Sequence, residues 1–479
     1  MARVDLAVIG GGTAGLVAAI GAARQGARVT LIERARTGGD CLWSGCVPSK
    51  ALIEAASAAH VARNSSHLGV SSAAVEVDLA AVMRHVTGSI AALEPHDSPQ
   101  RLRAEGVEVV HGQASFVDRD TVEVEGRRIR FRRALVATGS APFVPELPDL
   151  AQLRPLTNET VWELDDLPQR LVVLGGGAIG CELGQAFARL GSQVTIVEMT
   201  DRLLIKEEPA ASELIAHRLR SEGVELHLGA RAVRGEIASD GTRQLVVDDG
   251  NGEQHLPLDQ LLVAVGRTPR TEGLGLNAAA VEVDGRGAVA VDARLRTSNP
   301  RIYAAGDVTL QLPFTHVAAT HGATVVMNAL FGLRSTVDHE RIPWVTFTSP
   351  EVARVGLTAE QAEQRSDGEV VVRDAAHDQL DRAVTAGVTD GFARLVGDRR
   401  GRLVGATIVG PRAGETIGEV VAWMAGGAKL STIARNATHA YPTWSDDLTA
   451  ASLEQLSAGL SRLRPVTRSV LTLRRLLTR

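Results

Sequence analysis

Cysteine is scarce in this chain. Three residues among 479 are too few to staple a secreted fold with disulfides. Long apolar runs are missing as well, and none approaches the ~18 residues that a membrane-spanning helix needs. The N-terminus has no signal-peptide pattern, because Asp5 and the triple glycine Gly10–Gly11–Gly12 interrupt the apolar stretch. Charge of one sign is also lacking: a formal net charge of −5 gives no general pull toward nucleic acid. Lysine is nearly absent, with Lys50, Lys206 and Lys429 the only three among 51 basic residues. Tyrosine is limited to Tyr303 and Tyr441. Together these absences predict a cytoplasmic protein whose few cysteines stay reduced or do redox work. Its length exceeds one ordinary core and predicts several domains.

What is present is a repeated unit. Residues 4–9 (VDLAVI) read as a buried strand, followed by Gly10, Gly12 and Gly15 as G-x-G-x-x-G. An Ala-rich helix runs to about Gly26, and a second strand, RVTLIE, ends on Glu33. The pattern returns 165 positions later, with Gly175, Gly177 and Gly180, a helix to Gly191, and QVTIVE ending on Glu198. One glycine makes the tight turn, one admits a pyrophosphate to the backbone, and one lets helix pack on strand. Phosphates then meet the free N–H groups and dipole of the helix N-terminus. The terminal Glu can accept from a ribose 2′-OH. A lone copy is a weak signal; two copies in register predict two dinucleotide sites. Glu198 suits NADH and repels a 2′-phosphate, although nearby Arg202 keeps NADPH possible.

Further signals set the architecture. ALVATGSAP (134–142) and LLVAVGRTP (261–269) are matched strands running into Gly and Pro, and RIYAAGDV (301–308) delivers Gly306 and Asp307 to a loop. The predicted fold class is α/β: two Rossmann-like dinucleotide-binding domains, the second inserted in the first, plus an α+β C-terminal domain. The expected boundaries are 1–145 with 266–338, then 146–265, then 339–461, then a basic tail at 462–479. Within the third, 392–410 reads as a hairpin and 414–427 as a helix.

Cys41 and Cys46 lie in GGDCLWSGCVPSKAL (38–52). Five apart in an ideal helix, their Cα atoms would be roughly 8–9 Å apart, beyond the ~7 Å a disulfide tolerates. A bridge therefore requires a bend, which Gly45 permits. Pro48 predicts a helix starting near Cys46. A thiolate there gains from the helix N-terminus and from Lys50. Zinc would want C-x₂₋₄-C spacing and a second ligand pair, which are missing, so no metal site is expected. A purely structural disulfide is the other alternative. Cys181, in an apolar helix, reads as core.

The segment resembles the redox-active segment of the FAD-dependent pyridine nucleotide–disulfide oxidoreductases: lipoamide dehydrogenase, glutathione reductase and mercuric reductase. The resemblance runs over about residues 1–455. It implies that the first unit holds FAD through Gly10, Gly12, Gly15, Glu33, Arg34, Gly39, Lys50, Ala114, Thr138, Gly139, Gly306 and Asp307. It implies that Gly175, Gly177, Gly180, Glu198 and Gly266 hold NAD(P)H. Cys46 would be the flavin-side thiol, and Cys41 would exchange with the acceptor. Lys50 would pair with Glu182, and residues from 339 onward would form a homodimer with shared active sites.

One departure stands out. Lipoamide dehydrogenase and glutathione reductase place His before Pro-Thr near the C-terminus, with Glu five residues on. Here THAYPTWSDD (438–447) puts Tyr441 and Asp446 there. Tyr is a poor base at neutral pH but a usable proton donor; His439 could stand in. Tyr441 resembles mercuric reductase, yet the chain ends LTLRRLLTR without that enzyme's cysteine pair, and it begins without a metal-binding Cys motif. The expected activity is NAD(P)H-driven reduction of a small-molecule acceptor: a disulfide, a metal ion or a quinone. A flavin-level diaphorase that does not need the cysteines is the alternative, and a flavin-binding interaction protein is the non-enzymatic one. From Arg462 to Arg479 six arginines accompany Val466, Val470, Leu471, Leu473, Leu476 and Leu477 at helical spacing. Such a helix either packs on the fold or touches an anionic membrane surface.

Overall fold

The computed structural model describes residues 3–72, 74–365, 369–453 and 463–477. The chain divides into two compact units. The first comprises residues 1–64, 71–201 and 220–339; the second comprises 65–70, 202–219 and 340–479.

The first unit holds both glycine repeats. Strand Val4–Ile9 lies between Val29–Glu33 and Arg127–Val136, parallel to both, with Val107–His111 outside Val29–Glu33. Strand Ile302–Ala304 adds to the far side of Arg127–Val136, also in parallel. That last strand comes after the second repeat in sequence but completes the first sheet, so the second repeat is an insertion. Strands Thr121–Val124 and Ala114–Asp118 extend the first sheet antiparallel from Arg127–Val136, whereas the second sheet is parallel throughout, in the order Glu225–Leu228, Gln193–Glu198, Arg170–Leu174, Gln260–Val263. The strands Val4–Ile9, Val29–Glu33, Arg170–Leu174, Gln260–Val263 and Ile302–Ala304 are apolar runs that are largely buried, as strands covered on both faces require. The matched ends of the two units meet: Ser140–Pro142 pairs antiparallel with Arg267–Pro269.

The glycine turns are nearly superposable in their constraints. Gly10 and Gly175 sit at φ +107° and +113°. A Cβ on Gly15 would lie 1.9 Å from the Gly10 carbonyl oxygen, and one on Gly180 would lie 1.9 Å from that of Gly175. Helix Thr13–Arg24 and helix Ala178–Leu190 can therefore start only with glycine at these positions.

In the second unit an antiparallel sheet runs Trp344–Thr346, Glu351–Gly356, Leu403–Gly410, Phe392–Gly397, Val371–Ala376. Phe392–Gly397 and Leu403–Gly410 form the expected hairpin, and helix Ala413–Ala425 covers the sheet through Ile417, Val420 and Met424. The tail is helical over Arg464–Leu477, but none of its residues is buried. Val466, Leu473 and Leu477 are 60–77% exposed, so among the described residues this helix is not packed on the fold. No helix among the described residues is long and apolar enough to cross a membrane. The motifs do not foreshadow the antiparallel strands Arg231–Ile237, Arg243–Asp248 and Glu253–Leu258 or the long helix Leu79–Asp97.

Two substitutions on one helix separate these effects. Gly15→Ala drives a Cβ into a carbonyl and is expected to cost about 3 kcal/mol or more. Gly21→Ala meets only Val326 at 3.7 Å and should be neutral or stabilise by up to about 1 kcal/mol. Thermal unfolding of both proteins checks the contrast.

Candidate active site

The bend required between the cysteines is present. Cys41 sits in the short helix Gly39–Trp43, which ends at Ser44, and a new helix, Cys46–Asn64, opens at Cys46. The Gly45 amide donates to the Asp40 carbonyl at 2.6 Å, and a Cβ on Gly45 would lie 2.9 Å from that same oxygen. Glycine is needed here for space. Both cysteines are thiols, Cys41 half-buried and Cys46 open on one side.

Cys46 Sγ lies 3.1 Å from Oγ1 of Thr315, the first residue of helix Thr315–Phe331. It therefore faces two helix starts, whose N–H groups and dipoles favour a thiolate. A hydrogen bond from the Cys41 thiol pulls the Cys46 pKa down to about 6 against the opposing effect of burial, with Thr315 and Lys50 adding to the drop. The same bond, and burial, push Cys41 up. Cys181 is fully buried, and burial raises its thiol far above the usual range.

Lys50 Nζ donates to Glu182 Oε2 at 2.7 Å. Glu182 lies on helix Ala178–Leu190, so this pair joins the redox helix to the second glycine helix. Four further hydrogen bonds, which the sequence does not signal, surround the segment. Arg267 donates to Asp40 Oδ2 at 2.6 Å and to Ser140 Oγ at 2.7 Å, and Ser140 donates to Asp307 Oδ2 at 2.9 Å. Trp162 Nε1 donates to the Ser44 carbonyl at 3.1 Å. Burial raises Asp307 while Arg267 and Ser140 oppose the rise.

The glycine turns fit a dinucleotide. A Cβ on Gly177 would meet nothing within 4 Å, and one on Gly12 would meet only Gly39 at 3.8 Å, so backbone is presented openly at both turns. Gly39, at φ +61°, lies so near Gly12 that its own Cβ would be 2.6 Å from that Cα. Glu33 and Glu198 brace their turns: Glu33 accepts from Gly11 N at 2.6 Å, and Glu198 accepts from Gly176 N at 2.6 Å. A carboxylate has about four lone-pair sites, so each keeps capacity for a ribose hydroxyl.

The other expected FAD residues are placed variously. Thr138 Oγ1 donates to the Arg270 carbonyl at 2.7 Å, and the Gly139 carbonyl accepts from Arg270 N at 2.9 Å. Gly306 N donates to buried His321 Nδ1 at 3.1 Å. Ala114 has its side chain in the core beside Phe116, leaving only its backbone for a ligand. Arg34 is exposed. Gly266, at φ +149°, has open space where a Cβ would be.

In the second unit, Tyr441 is 75% exposed and donates to Asp381 Oδ2 at 2.5 Å. The hydrogen bond to Asp381, and then that carboxylate's charge, raises its phenol above the ordinary tyrosine range. Asp446 accepts from Thr443 N at 2.9 Å and caps the following turn. His439 is held between Glu419, 3.0 Å from Nε2, and Thr449, 2.9 Å from Nδ1. Among the described residues no three His, Cys, Asp or Glu side chains cluster as metal ligands.

Two nucleotide folds meeting at a cysteine pair with one acidified thiol define a two-nucleotide dithiol oxidoreductase. The chain belongs to the pyridine nucleotide-disulphide oxidoreductases, matching that family over residues 4–322 and its dimerisation domain over 342–452. These are enzymes that use FAD and NAD(P)H, and the dimerisation domain indicates a homodimer. The chain is 39% identical to a mercuric reductase of Bacillus cereus across 86% of its own length, and it spans 65% of that enzyme. It is 37% identical to a dihydrolipoyl dehydrogenase of Bacillus subtilis (strain 168), covering 92% of this chain and 94% of that one. The solved HOCl-induced flavoprotein disulfide reductase RclA from Escherichia coli is similar with a TM-score of 0.81 at 29% identity, covering 94% and 99% of the two chains.

In the reduced protein, Cys46 should ionise near pH 6 and be thiolate above it. Thr315→Val removes a hydrogen bond to that thiolate and should raise its midpoint by about one pH unit. Lys50→Met should raise it as well. Thiolate absorbance at 240 nm as a function of pH reads both shifts.

Proposed function

We propose that this chain is an NADH-preferring, FAD-dependent reductase that passes electrons through Cys46 and then Cys41 to a small disulfide, a soft metal ion or a similar acceptor. The observation that carries this reading is geometric: Cys46 opens a helix, Thr315 Oγ1 lies 3.1 Å from its sulfur, and Lys50 follows one turn on, held by Glu182. FAD, held by residues 1–145 and 266–338 around the first glycine turn, supplies the two-electron relay between nicotinamide and cysteines. The nicotinamide nucleotide belongs to residues 146–265. Opening the Cys41–Cys46 bond takes up two electrons and one proton, leaving Cys46 as thiolate and Cys41 as the thiol that meets the acceptor. Glu182 holds Lys50 beside Cys46. Residues 339–461 pair two copies, and Tyr441 of one copy serves the acceptor side of the other. A tyrosine phenol is protonated at neutral pH, so Tyr441 acts as a proton donor, while His439 and Asp446 hold the surrounding chain. A reducing cytoplasm suits this chemistry.

Cys41→Ser separates this reading from a flavin-level diaphorase. Acceptor turnover should fall at least a hundredfold while reduction of the bound flavin by NADH persists. Turnover at the wild-type rate means that electrons leave from the flavin. Glu198 should give NADH a kcat/KM at least tenfold above that of NADPH, and a reversed ratio removes the preference.

The exposed stripe on Arg464–Leu477 favours one more contact. With six arginines and no acidic residue in 462–479, it suits an anionic lipid surface, where each basic residue adds about 1 kcal/mol. Co-sedimentation with phosphatidylserine vesicles at low salt should be lost when 462–479 are removed. Equal sedimentation of both proteins would leave the helix as cover for a partner subunit.

A further inference from the structure

The second unit buries a pair of ionisable side chains far from the cysteines in sequence. His377 and Asp447 are 1% and 2% exposed, and His377 Nε2 lies 3.1 Å from Asp447 Oδ2. The outer atoms of the pair, His377 Nδ1 and Asp447 Oδ1, have no hydrogen-bond partner among the described residues. Two glycines make room for the ring. A Cβ on Gly391 would lie 2.3 Å from His377 Nδ1, and one on Gly410 would lie 2.3 Å from its Cε1. The His377 amide also donates to the Gly391 carbonyl at 3.0 Å. A buried polar pair with unsatisfied atoms is a poor way to gain stability, since packed apolar side chains do as well or better. Its value lies in what it holds in place.

Each partner sits at the root of a stretch that reaches the surface. His377 begins the turn His377–Gln379, which leads into helix Asp381–Ala386. Asp447 anchors the segment that begins with Tyr441, Pro442 and Thr443. The two stretches touch at three depths. His377 meets Asp447 in the core. Arg382 lies over the Trp444 ring, 5.5 Å from its centroid, and that ring is 5.8 Å from the His377 ring. At the surface Tyr441 donates to Asp381 at 2.5 Å. Within one chain the phenol is 75% exposed and its hydrogen bond is to Asp381, so within that chain its direction follows the two stretches beneath it.

We propose that His377 and Asp447 are positioning residues that hold the Tyr441 hydroxyl on Asp381 and so set the proton donor of the acceptor site. This rests on the reading of Tyr441 given above. It also reassigns the acidic role in this segment: Asp446, in the family's Glu position, caps a turn, and Asp447 carries the structural tie.

The phenol itself reports the positioning. The chain has two tyrosines, so Cζ-labelled tyrosine gives a separate NMR signal for each, and the Tyr441 signal is followed with pH. Asp381 and, more weakly, Asp446 face this phenol and raise its midpoint. In the FAD-loaded dimer, His377→Leu/Asp447→Leu should lower the Tyr441 midpoint by at least half a pH unit, as Asp381→Asn should. His377→Gln, which keeps a donor for Asp447, should restore the wild-type midpoint. Turnover of bis(2-hydroxyethyl) disulfide, whose leaving thiolate needs a proton, should fall at least fivefold in the apolar pair. Introducing that pair into Tyr441→Phe should add no further loss, and reduction of the flavin by NADH should not change. Should the apolar pair fail to fold, Gly391→Ala, which displaces the ring, is read the same way. An unchanged midpoint in the pair variant while Asp381→Asn lowers it overturns the proposal, as do losses that simply add. A Tyr441→Phe protein with full turnover overturns the reading of Tyr441 itself, and the midpoint shift tells the two failures apart.

Discussion

The site is organised by the ion pair between Lys50 and Glu182. Lys50 stands one turn after Cys46 on the redox helix, and Glu182 stands one turn into the second glycine helix. One contact thus joins the thiol to both nucleotide folds. Glu182 is nearly buried while Lys50 keeps solvent on one side, so the pair is worth less than the ~3–5 kcal/mol lost when a fully buried pair is broken. Its larger effect is on chemistry. The ammonium favours the Cys46 thiolate, and Glu182 opposes it. The carboxylate therefore holds the cation in place without letting it set the thiol's acidity alone.

Much of the fold was legible because glycine constraints are local. A turn that forbids a Cβ at Gly10, Gly15, Gly175 and Gly180 leaves its mark within six residues, and the duplication made that mark unmistakable. The bend between the cysteines was legible for a similar reason, since spacing alone excluded a continuous helix. What the spacing could not show was why Gly45 is glycine: the Asp40 carbonyl crowds it from the preceding turn.

The remainder of the site was hidden by distance along the chain. Thr315 reaches Cys46 across 269 residues, and Arg267 reaches Asp40 across 227. No local pattern announces such partners. The resemblance supplied Tyr441 and Asp446 as counterparts of a His and a Glu, and the structure gives those side chains different partners, Asp381 and Thr443 N. His377 gave no signal, being a lone histidine in an unremarkable strand end. Its pairing with Asp447 emerges only when the sheet brings Gly391 and Gly410 alongside.

The burial of Cys181 has a practical consequence. Its sulfur is sealed inside the second glycine helix and donates to the Gly176 carbonyl at 3.3 Å. Of the three sulfhydryls, only the two of the redox couple can meet a reagent in the native protein. A count of accessible sulfhydryls therefore equals the occupancy of the electron store, two when charged and none when discharged, with no background to subtract.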